Sequence, residues 1–152
     1  MKSPIRPLII ALLLAPAAAY AADSGPTPAR DPVLEGASAA TERKDWPAAQ
    51  AILKEAVAKD PGNADYHNLY AYSIRKGANP DMSLVFKHYN EALRLDPTHR
   101  GAHEYIGEAY LMVGNLPKAK EHLGQLDKLC FLPCGEYSDL KRTIAEFEAG
   151  RR

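Results

Sequence analysis

The chain has no excess of charge of either sign. Its 152 residues carry 19 Lys plus Arg and 19 Asp plus Glu. Binding to nucleic acid or adsorption to an acidic membrane surface rests on a basic excess, so neither draws support here. No Gly-rich phosphate loop, Gly-x-Ser-x-Gly turn or His-Glu-x-x-His helix occurs, and no carboxylate pair stands out as acid and base. The chain therefore reads as non-enzymatic, with no cofactor and no metal site. Long apolar runs are missing after the first twenty-odd residues, so no later segment is long enough to span a bilayer. Cysteine is scarce, with only Cys130 and Cys134.

What is present begins with a leader. Lys2 and Arg6 precede the apolar run "PLIIALLLAPAAA", and Ala19-Tyr20-Ala21 offers small residues at the two positions signal peptidase reads. Residues 1–21 are expected to be a signal peptide cleaved after Ala21; an uncleaved anchor is the alternative. The mature chain is then exported, and periplasmic if the source is Gram-negative. An exported pair of cysteines favours a disulfide. Residues 22–30, "ADSGPTPAR", are Pro-, Gly- and small-residue-rich and read as a flexible linker.

The rest of the chain repeats itself. "KDPGNADYHNLYAYSIRKGAN" aligns with "LDPTHRGAHEYIGEAYLMVGN", Asp60-Pro61 on Asp96-Pro97, a period of 36. His67 matches His103, Tyr70 matches Ile106, Ala71 matches Gly107, and Ile74 matches Tyr110. Before each Asp-Pro, Ala49, Leu53 and Ala56 share the spacing of Val85, Tyr89 and Ala92, and Ala119, Leu123 and Leu126 repeat it. Apolar residues at intervals of three and four mark amphipathic helices. Each unit is thus two antiparallel helices joined by a turn such as "GANPD" or "VGN".

This pattern resembles the tetratricopeptide repeat (TPR): a large residue, Leu-Gly and Tyr in the first helix, Ala and an aromatic in the second, and Pro at the exit. His103, Ile106-Gly107, Tyr110, Ala119 and Leu123 fit closely. The second unit fits with substitutions and about two extra residues around Ala78–Ser83, and the first, with Gly36 where Leu is usual, is a weaker copy. The ending "LCFLPCGEY" is similar to that of small exported bacterial TPR proteins. The expected fold is an all-α TPR solenoid over residues 31–149, with units at about 31–63, 64–99 and 100–133. A capping helix at about 135–149 carries Tyr137, Leu140, Ile144 and Phe147 on one stripe.

The resemblance implies a concave groove, lined by the first helix of each unit, that binds a protein or peptide. By register it includes Leu34, Ser38 and Glu42, then Asp65, Asn68, Tyr72, Arg75 and Lys76, then Glu104, Glu108, Leu111 and Met112. Asn68, Tyr72, Arg75, Glu104, Glu108, Leu111 and Met112 are the candidate binding residues. Tyr72, Leu111 and Met112 are expected to grip apolar groups, and Arg75 to pair with a carboxylate. His67 and His103 fall on the large packing position and read as core-facing rings. Cys130 stands where earlier exits carry Asp60 and Asp96. A Cys130–Cys134 disulfide is the favoured reading of that corner; a two-thiolate copper site and thiol exchange remain open. The functions to compare are thus a peptide-binding adaptor, a thiol-based metal or redox carrier, and an assembly role through self-association.

Overall fold

The computed structural model describes residues 31–132 and 134–150. The expected signal peptide and linker lie outside the described residues. Seven helices and no strand make up the described chain: α1 Pro32–Glu42, α2 Trp46–Lys59, α3 Ala64–Lys76, α4 Met82–Leu95, α5 Arg100–Met112, α6 Leu116–Leu129 and α7 Gly135–Glu148.

Local chemistry sets the helix starts. Asp31, Asp45, Asn63, Asp81, His99 and Asn115 each accept a hydrogen bond through the side chain from a backbone N–H in the first turn. Pro32, Pro47 and Pro117 sit in first turns, where their missing N–H costs nothing. The turns inside units one and three close on a left-handed residue, Lys44 (φ 58°) and Gly114 (φ 75°). Unit two has the longer Gly77–Asp81 connection instead, which accounts for its extra residues.

Successive helices pack against each other, and α1, α3, α5 and α7 also touch in series. The even-numbered helices do not touch one another among the described residues. One layer is therefore compressed and the other splayed, so the stack curves with α3, α5 and α7 on its concave side. This is an all-α helical-repeat solenoid of three units with a capping helix.

The small residues at the repeat positions explain the close stacking. Ala37, Ala49, Ala71, Val85 and Ala119 are fully buried. At Gly107 a Cβ would come within 2.6 Å of Leu140 Cδ2. The sequence pattern places Gly107 where the two helices of one unit touch; the structure shows it facing α7, so its lack of a side chain admits the cap. One core cluster runs from α1 to α5, centred on Leu53, Tyr70, Tyr89 and Ile106. A second joins α5, α6 and α7 through Leu111, Ala119, Leu126, Leu140 and Ile144.

The corners between units share one device until the last. Asp60 and Asp96 end α2 and α4, and each side chain accepts the backbone N–H two residues on, at 3.1 and 2.8 Å. Cys130 ends α6 in the same place, and its sulfur lies 2.07 Å from that of Cys134. Cys134 then begins α7 without a side-chain cap. At this corner the cysteine pair stands in place of both the Asx turn and the cap.

Candidate groove on the concave face

Asn68, Tyr72 and Arg75 lie at i, i+4 and i+7 on α3, one stripe of the concave layer. Their exposures differ sharply. Asn68 and Arg75 are 4% and 6% exposed, whereas Tyr72 is half-buried. The rim therefore presents Tyr72, with Trp46 from the start of α2 edge-on at 6.0 Å and Tyr105 from α5 at 4.7 Å.

Arg75 forms the floor. Its Nη2 is 2.7 Å from Glu108 Oε2, and its Nε donates to the Tyr89 hydroxyl at 3.2 Å. The guanidinium also lies 5.5 and 5.7 Å from the Tyr72 and Tyr105 ring centroids, within cation–π range. The expectation that Arg75 awaits a partner's carboxylate is corrected: a nearly buried cation needs an internal counter-charge, and Glu108 supplies it. Burial, then neighbouring Glu104, pushes the Tyr105 hydroxyl up to about 12. At neutral pH the Tyr105 ring therefore presents a protonated phenol.

Leu111 is corrected as well. It is 1% exposed and packs with Leu126 and Leu140 in the core under α7. The cap helix covers the apolar surface that the third unit alone leaves open. Met112, the next residue, is 47% exposed at the end of α5.

Glu104 is half-buried on α5, one turn before Glu108. Its carboxyl is pushed up to about 7, first by burial and then by Glu108, Asp139 and Glu136. The last two come from α7 and were missed in the sequence, as were Trp46 and Tyr105. The signal lay in the register: α7 packs on α5 and α6 as α5 packs on α3 and α4, so it stands as the first helix of a fourth unit. Reading it only as a cap hid its polar face.

The histidines form two equivalent pairs. His67 Nδ1 lies 2.8 Å from His88 Nδ1, and His103 Nδ1 lies 3.0 Å from His122 Nδ1. His67 and His103 are buried, on the packing position that the repeat assigns them. His99 caps α5 through Nδ1, so its Nε2–H donates to Asp65 Oδ1 at 3.1 Å. Among the described residues no cluster of three or more His, Cys, Asp or Glu is placed to hold a metal. The two cysteine sulfurs lie at bonding distance from each other, with no free thiol among the described residues.

The fold and groove define a class: a TPR-fold solenoid with an aromatic and acidic concave face. Comparison with known proteins agrees on the fold. No family model matches the chain. The chain is 29% identical over 101 residues to the inactive TPR repeat-containing thioredoxin TTL3 of Arabidopsis thaliana. That stretch is 66% of this chain and spans 14% of the length of that protein. Among solved structures, the TPR2B domain of yeast Sti1, in complex with pHsp70, is similar at TM-score 0.68 and 16% identity, over 78% of this chain and 95% of that one. The first TPR domain of human RPAP3 is similar at TM-score 0.67 and 17% identity, over 78% and 91%. The Yersinia enterocolitica type III secretion chaperone SycD, with a peptide of the translocator YopD, is similar at TM-score 0.63 and 13% identity, over 78% and 88%. At such identities the likeness is one of fold.

Proposed function

We propose that this chain is a non-enzymatic adaptor that holds an extended segment of a protein partner in its concave groove. The observation that carries this reading is the Trp46–Tyr72–Tyr105 rim over the Arg75–Glu108 floor. The buried ion pair and the Tyr89 bond fix the floor before any ligand arrives, so little ordering entropy is lost on binding. Two rings of adjacent units give a peptide apolar contact area with few rotors to freeze. Solved neighbours of the same fold are in complex with pHsp70 or a YopD peptide, which favours a protein or peptide ligand here as well.

The adaptor works outside the cytoplasm in this reading, with the leader removed after Ala21 and Cys130–Cys134 kept oxidised by the compartment, periplasmic if the source is Gram-negative. Selection from a random-peptide display library, followed by calorimetry on the recovered peptides, tests the groove. Tyr72→Ala or Tyr105→Ala is expected to weaken binding at least about tenfold, the scale of an aromatic hot spot. Peptides that bind both variants as tightly as wild type would place the site elsewhere.

A further inference from the structure

The charges on the concave face do not balance, and the imbalance has a location. Glu108 is held by Arg75 at 2.7 Å, Asp139 by Arg142 at 2.7 Å, and Glu136 by Arg100 at 3.7 Å. Glu104 lies among these three carboxylates, and no hydrogen bond or ion pair reaches it among the described residues. A second group, on the facing helix α3, is also unmatched. Asn68 is almost wholly buried, and its Oδ1 has no hydrogen-bond partner among the described residues. Its amide lies against Gly101, one helical turn before Glu104, where a Cβ would stand 3.5 Å from Nδ2. The lack of a side chain at Gly101 lets the Asn68 amide and the His99 ring approach α5 closely. Glu104 and the Asn68 oxygen are acceptors, so what completes them is a donor; the other buried polar atom without a hydrogen bond among the described residues, Arg75 Nη2, is already matched in charge by Glu108 at 2.7 Å.

We propose that the groove takes a cationic partner segment, anchored by a lysine or arginine side chain seated between Glu104 and Asn68 beside the Tyr105 ring. This rests on the groove reading above and names its ligand class. The ammonium or guanidinium supplies the missing positive charge and several N–H donors, one for Glu104 and one for the Asn68 oxygen. The Tyr105 ring adds a cation–π contact of the kind Arg75 already makes. An acidic segment finds the reverse: the buried Arg75 is engaged by Glu108, and Glu104 repels it. Cation binding also favours ionised Glu104. Affinity should therefore rise with pH, up to about tenfold per unit between about 5.5 and 7, and level off above that. Glu108, Asp139, Glu136 and Arg75 are the charged groups that set this response.

The test uses the full mature chain and fluorescein-labelled peptides of about ten residues, alternating alanine with lysine, glutamate or serine, read by anisotropy. The lysine peptide should bind, the glutamate peptide should not, and Glu104→Gln should weaken the lysine peptide at least tenfold and flatten its pH profile. Gln is nearly isosteric and relieves repulsion, so this variant keeps the fold. A lysine peptide that fails to bind, that binds no better than the glutamate peptide, or that ignores Glu104→Gln overturns the anchor. If a serine or glutamate peptide binds, resists Glu104→Gln and is lost in Tyr72→Ala, the groove stands and only the cation is wrong. If Tyr72→Ala changes no peptide, the groove reading itself fails.

Discussion

His67 and His103 each place Nε2 against a backbone carbonyl, Pro61 at 3.1 Å and Pro97 at 3.0 Å. A carbonyl only accepts, so Nε2 carries the proton and Nδ1 offers its lone pair to the Nδ1–H of His88 or His122. Protonating both rings of a pair sets two N–H groups head-on. Burial, reinforced by the facing ring, pulls His88 and His122 down to about 4 from the usual 6.5. Folding thus favours the neutral rings. Their contribution is intact above about pH 6.5 and is lost as pH falls toward about 4. Glu104 acts in the opposite sense: with its pKa raised from 4.5 to about 7, stability is gained as pH falls through that window. The histidine effect is therefore best measured in Glu104→Gln. Its melting temperature should decline from pH 6.5 to 4, and adding His88→Asn and His122→Asn should flatten that slope. A slope unchanged by the two substitutions would mean that other groups set it. Asp31 and Asp96, held below their ordinary 3.8 by hydrogen bonds from Tyr66 and Thr98, act at lower pH. At this scale the sequence showed half of each pair. His67 and His103 stood out on the packing position, whereas His88 and His122 share a register position that only the antiparallel packing of the two helices turns toward them.

The corner before α7 departs most from the repeat, and its energetics follow from what it replaces. Asp60 and Asn63 shape the first inter-unit corner, and Asp96 and His99 the second, by side-chain bonds to the backbone. Cys130 and Cys134 occupy the third with neither bond; their Cα atoms are 5.8 Å apart, within disulfide range. Closing so short a loop limits the unfolded chain and contributes about 2 kcal/mol in the chain-entropy model. Cys130→Ser with Cys134→Ser should therefore lower stability by about that amount in urea titration, and reductant should lower the wild type equally while leaving the variant unmoved. Equal stability with and without reductant would mean that the link does not constrain this corner. The cysteines and their place in the register were legible in the sequence. The missing cap was not, because it shows only once Cys134 is seen to begin α7 where Asn63 and His99 begin α3 and α5.

The whole molecule is a line of stacked helices, and its two core clusters meet at α5, where Tyr110 packs against both. Helix number, order and small-residue stacking could be read from the sequence, because each unit repeats the same apolar spacing. The depth of the groove could not. Register fixes which face a residue occupies but not how closely the next helix approaches, so Leu111 read as surface although α7 covers it, and Arg75 read as available although Glu108 holds it. In such an array stability is a sum of neighbour terms, and damage at one interface should stay near it. Gly107 offers the test, since any Cβ there runs into Leu140 of α7. Gly107→Val should cost about 1–3 kcal/mol through overpacking. Hydrogen exchange should quicken in α6 and α7, where Leu126, Leu140 and Ile144 lose their packing, while α2 and α3 keep the protection that Leu53 and Tyr70 give them. A uniform loss of protection from α1 to α7 would instead show that the two clusters unfold as one cooperative body, and that α5 transmits the strain across the whole stack.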